Sequence, residues 1–205
     1  MGIDKSRLVF RGKTFLEQVI TQVSQICAPV VVVGDIDFSL HALPPNVLLD
    51  CDKDPNKGPL EGIRVGLERL SSQVEFAFVT SCDVPLLHPD LVRYLYGKIE
   101  GANAVVPVDG DRVFGMTAIY RTELHTEIGK RIAANQLRVS ELANALNAIQ
   151  TGMEAIRLID PDLDSMTNIN SKGDYIRLLD RFNLKCPAEI AAAIGLGQDG
   201  LEKSS

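Results

Sequence analysis

Pro29-Val30-Val31-Val32-Val33-Gly34 is the stretch on which the fold turns. Four consecutive valines, stopped by a glycine, suit a strand buried on both faces, as in a parallel sheet covered by helices. The residues before it carry a different period. Phe15, Val19, Val23 and Ile26 recur at spacings of four, four and three, and Leu16, Ile20 and Cys27 widen the stripe. That is one face of an amphipathic helix. A helix running into a buried strand is a building unit of α/β proteins.

The alternation continues downstream. Val47 to Leu49 reads as a short strand, Leu60 to Leu70 as a helix, Phe76 to Val79 as a strand, and Pro89 to Ile99 as a helix opened by Pro89. Ala104 to Val108 and Thr117 to Tyr120 read as strands, and Glu123 to Ala134 and Ser140 to Ala148 as helices. Ile156 to Ile159 reads as a late strand, and Ser171 as the N-cap of a helix reaching Phe182. This order predicts a three-layer α/β/α, Rossmann-like fold with a mostly parallel sheet. One domain covers residues 1–182. A tail, 183–205, holds a short helix over Pro187 to Ile194 and a frayed Gly-rich end.

Composition narrows the function classes. The chain has 205 residues, 45% hydrophobic and 23% charged, so it is globular and not disordered. With 21 Lys+Arg against 27 Asp+Glu its formal charge is −6, which disfavours general nucleic-acid binding. No apolar run approaches the roughly 18 residues of a membrane span, and the N-terminus lacks the apolar core of a secretory signal. Cys27, Cys51, Cys82 and Cys186 are dispersed, without metal-ligand spacing, and read as reduced thiols of a cytoplasmic protein.

In such a fold, ligands bind beyond the C-terminal ends of the strands. The loops there are Gly34-Asp35, Asp50 to Pro59, Ser81 to Pro85 and Asp109 to Gly115. In Thr80-Ser81-Cys82-Asp83-Val84-Pro85, a buried strand delivers one carboxylate to its end. Asp83 either holds Mg²⁺ against phosphates or caps the turn. Gly58-Pro59-Leu60-Glu61-Gly62 opens a helix, and its glycines either admit a ligand or tighten packing. Asp50, Asp52 and Asp54 share one loop, where a carboxylate is either solvated or paired with the donor edge of a base. Lys5 can reach a phosphate but by default is solvated. Asn168 and Asn170, two apart, share one face if extended, and either meet a polar ligand or close the turn before Ser171. His41, His88 and His125 lack any Ser or Cys motif, which argues against a nucleophilic triad.

Together these pieces resemble the molybdenum cofactor guanylyltransferase family. That family opens L-A-G-G-x-S-x-R-M-G-x-D-K, and Met1-Gly2-Ile3-Asp4-Lys5 looks like the end of that run. Val30 to Val33, Asp50, Gly58-Pro59-Leu60, Cys82-Asp83-Val84-Pro85 and Thr167-Asn168-Ile169-Asn170-Ser171 follow in the family's order. The resemblance implies a nucleotidyltransferase domain over residues 1–182. It implies transfer of GMP from GTP to molybdopterin, with Mg²⁺ on Asp83, Lys5 on the GTP phosphates and Asp50 on the guanine or ribose. Asn168 and Asn170 would line the pterin side. Other molybdenum cofactor proteins are implied as transient partners.

Two departures stand out. Nothing matches the family's first, central strand and glycine-rich loop. The expectation is that the upstream reading frame encodes an apolar strand, a Gly-Gly loop and an Arg. The other origins for this departure are a removed segment and a decayed copy. Phe114-Gly115-Met116-Thr117 stands where the family often carries His-Pro. The alternatives are a related nucleotidyltransferase using CTP or a sugar phosphate, and a non-catalytic pterin-binding remnant.

Overall fold

The computed structural model describes residues 4–34, 43–52 and 57–195, and the following statements concern those residues. A 3-10 turn at Lys5–Arg7 leads into a small antiparallel hairpin, β1 (Val9–Phe10) and β2 (Lys13–Thr14). Helix α1 (Phe15–Val23) follows, closed at its start by a capping box between Thr14 and Glu17. The valine run forms β3 (Val30–Val33), paired in parallel with β4 (Val47–Asp50). Helix α2 (Pro59–Leu70), β5 (Phe76–Val79) and α3 (Pro89–Tyr96) come next, and Pro59 and Pro89 each start their helix as the missing N–H allows.

The second half is built around β6 (Ala104–Asp109). The turn Gly110-Asp111 folds it back on β7 (Arg112–Val113), with Gly110 at φ 55°. Strand β8 (Ala118–Arg121) then runs antiparallel between β5 and β6. Helices α4 (His125–Ala133) and α5 (Val139–Ala145) precede β9 (Ile149–Gly152), which joins the free side of β6 in parallel. Helices α6 (Met153–Arg157), α7 (Lys172–Arg181) and α8 (Ala188–Ala193) complete the order.

The expectation of a mostly parallel sheet needs correction. Parallel pairing holds only for β3–β4 and β6–β9. The pairs β1–β2, β5–β8, β6–β7 and β6–β8 are antiparallel. The physical cause is the two-residue turn after β6, which reverses the chain and leaves β8 running against both neighbours. The α/β class stands. The expected strand at Ile156 to Ile159 is also displaced: the strand is Ile149–Gly152, and Ile156 lies on α6. Asn147, at φ 54°, ends the preceding helical segment early and frees residues 149–152 to pair.

Alternation along β6 and β8 sorts the core into two faces. Ala104, Val106, Ala118 and Tyr120 pack against α2, α4 and α5 through Leu67, Ile128 and Leu142. Val105 and Ile119 face the other way, onto Leu91 and Leu95 of α3 and Ile156 of α6. A third cluster joins the chain ends. Leu8, Phe10 and Phe15 pack on Tyr175, Leu178 and Leu179 of α7 and on Ile190 of α8. The Tyr175 hydroxyl donates to the Val9 carbonyl at 2.7 Å.

The strands form separate sheets. The pair β3–β4 shares no ladder with the five-stranded sheet containing β5. A largely apolar cavity of about 590 Å³ lies between β3 and β5.

Phe114-Gly115-Met116 has a packing explanation. A Cβ at Gly115 would clash with Val139 Cγ1 and lie 3.0 Å from the Tyr120 hydroxyl, which itself donates to the Gly115 carbonyl. Gly115→Ala is expected to destabilise the protein by about 1–3 kcal/mol, the usual cost of overpacking. Adding Val139→Ala to that variant should recover part of the loss. Urea unfolding of the two variants checks both outcomes.

Candidate functional site

The site is assembled by the third core cluster. Because Leu8, Phe10 and Phe15 share a core with α7, the Lys5–Arg7 turn lies beside the segment leading into that helix. Asp4 caps the turn, its Oδ1 accepting from the Ser6 amide at 2.9 Å. On the other side Ser171 caps α7 through a capping box with Asp174, as the sequence reading expected. The Ile169 amide donates to the Asp83 carbonyl at 2.8 Å, tying this segment to the end of β5.

Asp83 is the centre. Its Oδ2 accepts from Lys5 Nζ at 3.1 Å. Its Oδ1 accepts from Asn168 Nδ2 at 2.8 Å and from the Ser81 hydroxyl. Asn170 Oδ1 accepts from Lys5 Nζ at 2.6 Å. Of the residues singled out from sequence, Lys5, Asp83, Asn168 and Asn170 are therefore one contiguous group. The Asp83 side chain is 13% exposed and that of Lys5 34%, so the pair is partly shielded but open to a ligand.

Asp50 stands apart. It ends β4, its Oδ1 accepts from the Cys51 amide at 2.9 Å, and its carbonyl accepts from the Gly34 amide. Gly58 enters α2 at φ 64°, a conformation that favours glycine, and Gly62 faces the Asp52 carboxylate. Asp52, Gly58, Pro59 and Gly62 border the inter-sheet cavity, as do Ser81 and Cys82. Asp35, His41 and Asp54 lie outside the described residues.

Sequence reasoning left Ser81 without a role, yet its hydroxyl is a direct partner of Asp83. The signal was its position two residues before the carboxylate at a strand end, which suits an ST-type local hydrogen bond. His88 is the N-cap of α3, its Nδ1 accepting from the Asp90 amide at 3.3 Å, a capping role.

Cys82, adjacent to Asp83, is a poor nucleophile. Burial pushes its thiol up to about 11, and the nearby charges of Asp83 and Asp4 add to the effect. The chemistry available is therefore that of a carboxylate, an ammonium, two amides and a hydroxyl. These are hard oxygen donors beside one cation, suited to binding and aligning phosphates and a divalent metal.

The chain is similar to known proteins over most of its length. A family model described as a MobA-like NTP transferase domain matches residues 1–153. A probable molybdenum cofactor guanylyltransferase of Methanosarcina acetivorans is 31% identical, over 84% of this chain and 80% of that protein. A molybdenum cofactor guanylyltransferase of Desulfosudis oleivorans is 28% identical, over 83% of each chain. The crystal structure of molybdopterin-guanine dinucleotide biosynthesis protein A from Archaeoglobus fulgidus superposes with a TM-score of 0.73. It covers 89% of this chain and 92% of that one at 22% identity.

Cys51 is exposed, whereas Cys82 lies against Asp83 with a raised pKa. Iodoacetamide at pH 8 should therefore modify Cys51 well before Cys82, and Cys82 should become reactive only as the pH approaches 11. Peptide mass mapping over a pH series reads the order directly.

Proposed function

This chain belongs to the MobA-like NTP transferase family, and from that premise we propose that it transfers GMP from GTP to molybdopterin, releasing pyrophosphate. The observation that carries the reading is the hydrogen-bonded convergence of Lys5, Asp83, Asn168 and Asn170 just beyond the end of β5. The names of its relatives supply the substrate class.

The reaction joins a terminal phosphate oxygen of the acceptor to the α-phosphorus of GTP and breaks the bond to pyrophosphate. Such a displacement needs charge neutralisation and alignment and no covalent nucleophile. The residues present fit a divalent metal, Mg²⁺ in this proposal. Asp83 is a carboxylate that accepts from the Ser81 hydroxyl and the Asn168 amide nitrogen, and Mg²⁺ commonly takes one or two carboxylates plus phosphate oxygens. When bound, the metal supplies positive charge against the phosphates. In this reading Lys5 leaves Asp83 and contacts the triphosphate, and Asn170 holds the ammonium at the crevice meanwhile. Asn168 orients Asp83 through its amide. Asp50, at the end of β4, serves the guanine or ribose. Asn168 and Asn170 also line the acceptor side, so the two substrate sides meet at one hydrogen-bonded group. The same reading places the protein in the cytoplasm, in transient contact with other molybdenum cofactor proteins.

Pyrophosphate release with molybdopterin and either GTP or CTP tests the substrate assignment, and equal or better turnover with CTP would move the reading to a cytidylyltransferase. Asp83→Asn should keep the fold and lower the rate roughly a thousandfold or more, since several kcal/mol of transition-state stabilisation rest on one ligand and its charge. Asn168→Ala removes a hydrogen bond to a charged group worth about 1.5–3 kcal/mol, roughly a 10- to 150-fold loss. Combined with Asn170→Ala it should weaken molybdopterin binding more than GTP binding in a titration. The opposite order would exchange the assigned sides.

A further inference from the structure

We infer that the cleft beside helix α1, bounded by the β1–β2 turn, the loop after Asp83 and the end of α7, docks an acidic peptide segment of a protein partner, its carboxylate on Arg11 and its backbone amide on Gln18. The cleft measures about 380 Å³, within the roughly 300–1,000 Å³ of ligand clefts, and Arg11, Gln18, Gln22, Leu86 and Phe182 border it. Lys5, Asp83, Asn168 and Asn170 do not line it, so it is separate from the site described above.

The carboxylate follows from a comparison of two arginines on one ring. Arg181 lies 5.2 Å from the centroid of Phe182, and its guanidinium is bonded to Asp162 and Asp164 of this chain. Arg11 lies 4.6 Å from the same centroid and 5.1 Å from that of Phe10. Yet Arg11 has no carboxylate partner among the described residues. Ring contact steadies a guanidinium and leaves its edge N–H groups to a carboxylate, as Arg181 shows. The backbone is committed to this placement. Arg11 opens the two-residue turn between β1 and β2 at φ 51°, where glycine or asparagine is the usual occupant. A large side chain held in that conformation is a sign of function.

Gln18 selects the rest of the ligand. It is only 9% exposed, it borders the cleft, and its carboxamide forms no hydrogen bond among the described residues. Buried side-chain amides are ordinarily bonded. A carboxamide both donates and accepts, so a bare oxyanion would serve its N–H groups and leave its oxygen unmatched. A peptide unit supplies an N–H and a C=O together. Gln22 is already engaged, its Oε1 accepting from Gln25 Nε2 at 2.9 Å, and Leu86 and Phe182 offer apolar walls to the aliphatic part of the segment. Asp164, also on the lining, is neutralised by Arg181 and does not turn an acid away. The chain's formal charge of −6 gives an acidic peptide no general attraction, so recognition here is local. None of this depends on which reaction the chain catalyses.

The experiment is an NMR titration of the 205-residue protein with the acetylated, amidated pentapeptide Gly-Gly-Asp-Gly-Gly. Saturable shifts are expected at the Gln18 carboxamide and the Arg11 Nε–H. The neutral pentapeptide Gly-Gly-Asn-Gly-Gly should bind roughly tenfold or more weakly, the weight of a hydrogen bond to a charged group. Acetate, a carboxylate without the peptide unit, should also bind more weakly. Arg11→Gly suits the turn and Gln18→Leu preserves volume, so both variants should keep the amide spectrum of the folded chain, and each should bind the Asp pentapeptide severalfold more weakly. Absence of saturable shifts at these two groups overturns the inference. So does equal affinity for the Asn pentapeptide, or for acetate, which would mark an adventitious ion only. Undiminished binding by either folded variant overturns it as well, and so do shifts confined to Lys5 and its neighbours. Transferase turnover enters none of these readings, so failure of the proposed reaction leaves them standing.

Discussion

Three stretches of this chain, distant in sequence, meet at the carboxylate of Asp83. Lys5 comes from the first described turn, Ser81 from the strand end, and Asn168 from the approach to α7. A shielded carboxylate is costly unless its oxygens are bonded, and here both oxygens have partners. The main chain repeats the link, with Ile169 bonded to the Asp83 carbonyl. Behind it, buried Asp160 accepts from the amides of Asp164 and Ser165, and Ser165 accepts from the His88 amide at the start of α3. The loop that presents Asn168 is thus anchored to both α3 and β5. A reactive centre built this way owes its precision to long-range packing, because no single element contains it.

Strongly periodic segments were the ones sequence reading located well. Val30–Val33 and Phe76–Val79 agree residue for residue with the structure, and the Ser171 cap was marked by its own residue type. The misses have identifiable causes. Ile149-Gln150-Thr151-Gly152 has no apolar run to announce a strand, and its pairing to β6 is tertiary. The antiparallel course of β8 had a local sign that went unused. Val108-Asp109-Gly110-Asp111-Arg112-Val113 places a two-residue Gly-Asp turn between two short β-formers, a hairpin signature with Gly at the first turn position. Reading that loop only as a ligand loop hid the reversal that sets the direction of the next strand.

The site was legible to a different degree. A carboxylate at the end of a buried strand is visible from pattern alone, so Asp83 could be nominated by physics. Lys5 and Asn170 are weaker candidates by residue type, and their contact is not legible, since one hydrogen bond spanning 165 residues leaves no trace in local spacing. Family resemblance assigned both to one enzyme's substrates. It also divided them between two substrates, whereas in the folded chain they touch. Asp50 shows the converse, being conspicuous in sequence yet turned onto its own neighbour's amide.

The separation of β3–β4 from the larger sheet has a mechanical corollary. Among the described residues the two sheets share no ladder, and helix α2 contacts both β3 and β5. Pressure acts on internal void, and the volume change of unfolding, roughly −20 to −100 mL/mol for ordinary proteins, scales with the void eliminated. The cavity between β3 and β5 is partly open to solvent, so only its enclosed part counts toward that change. Compression is then felt at the plane between β3 and β5, which no strand ladder bridges among the described residues.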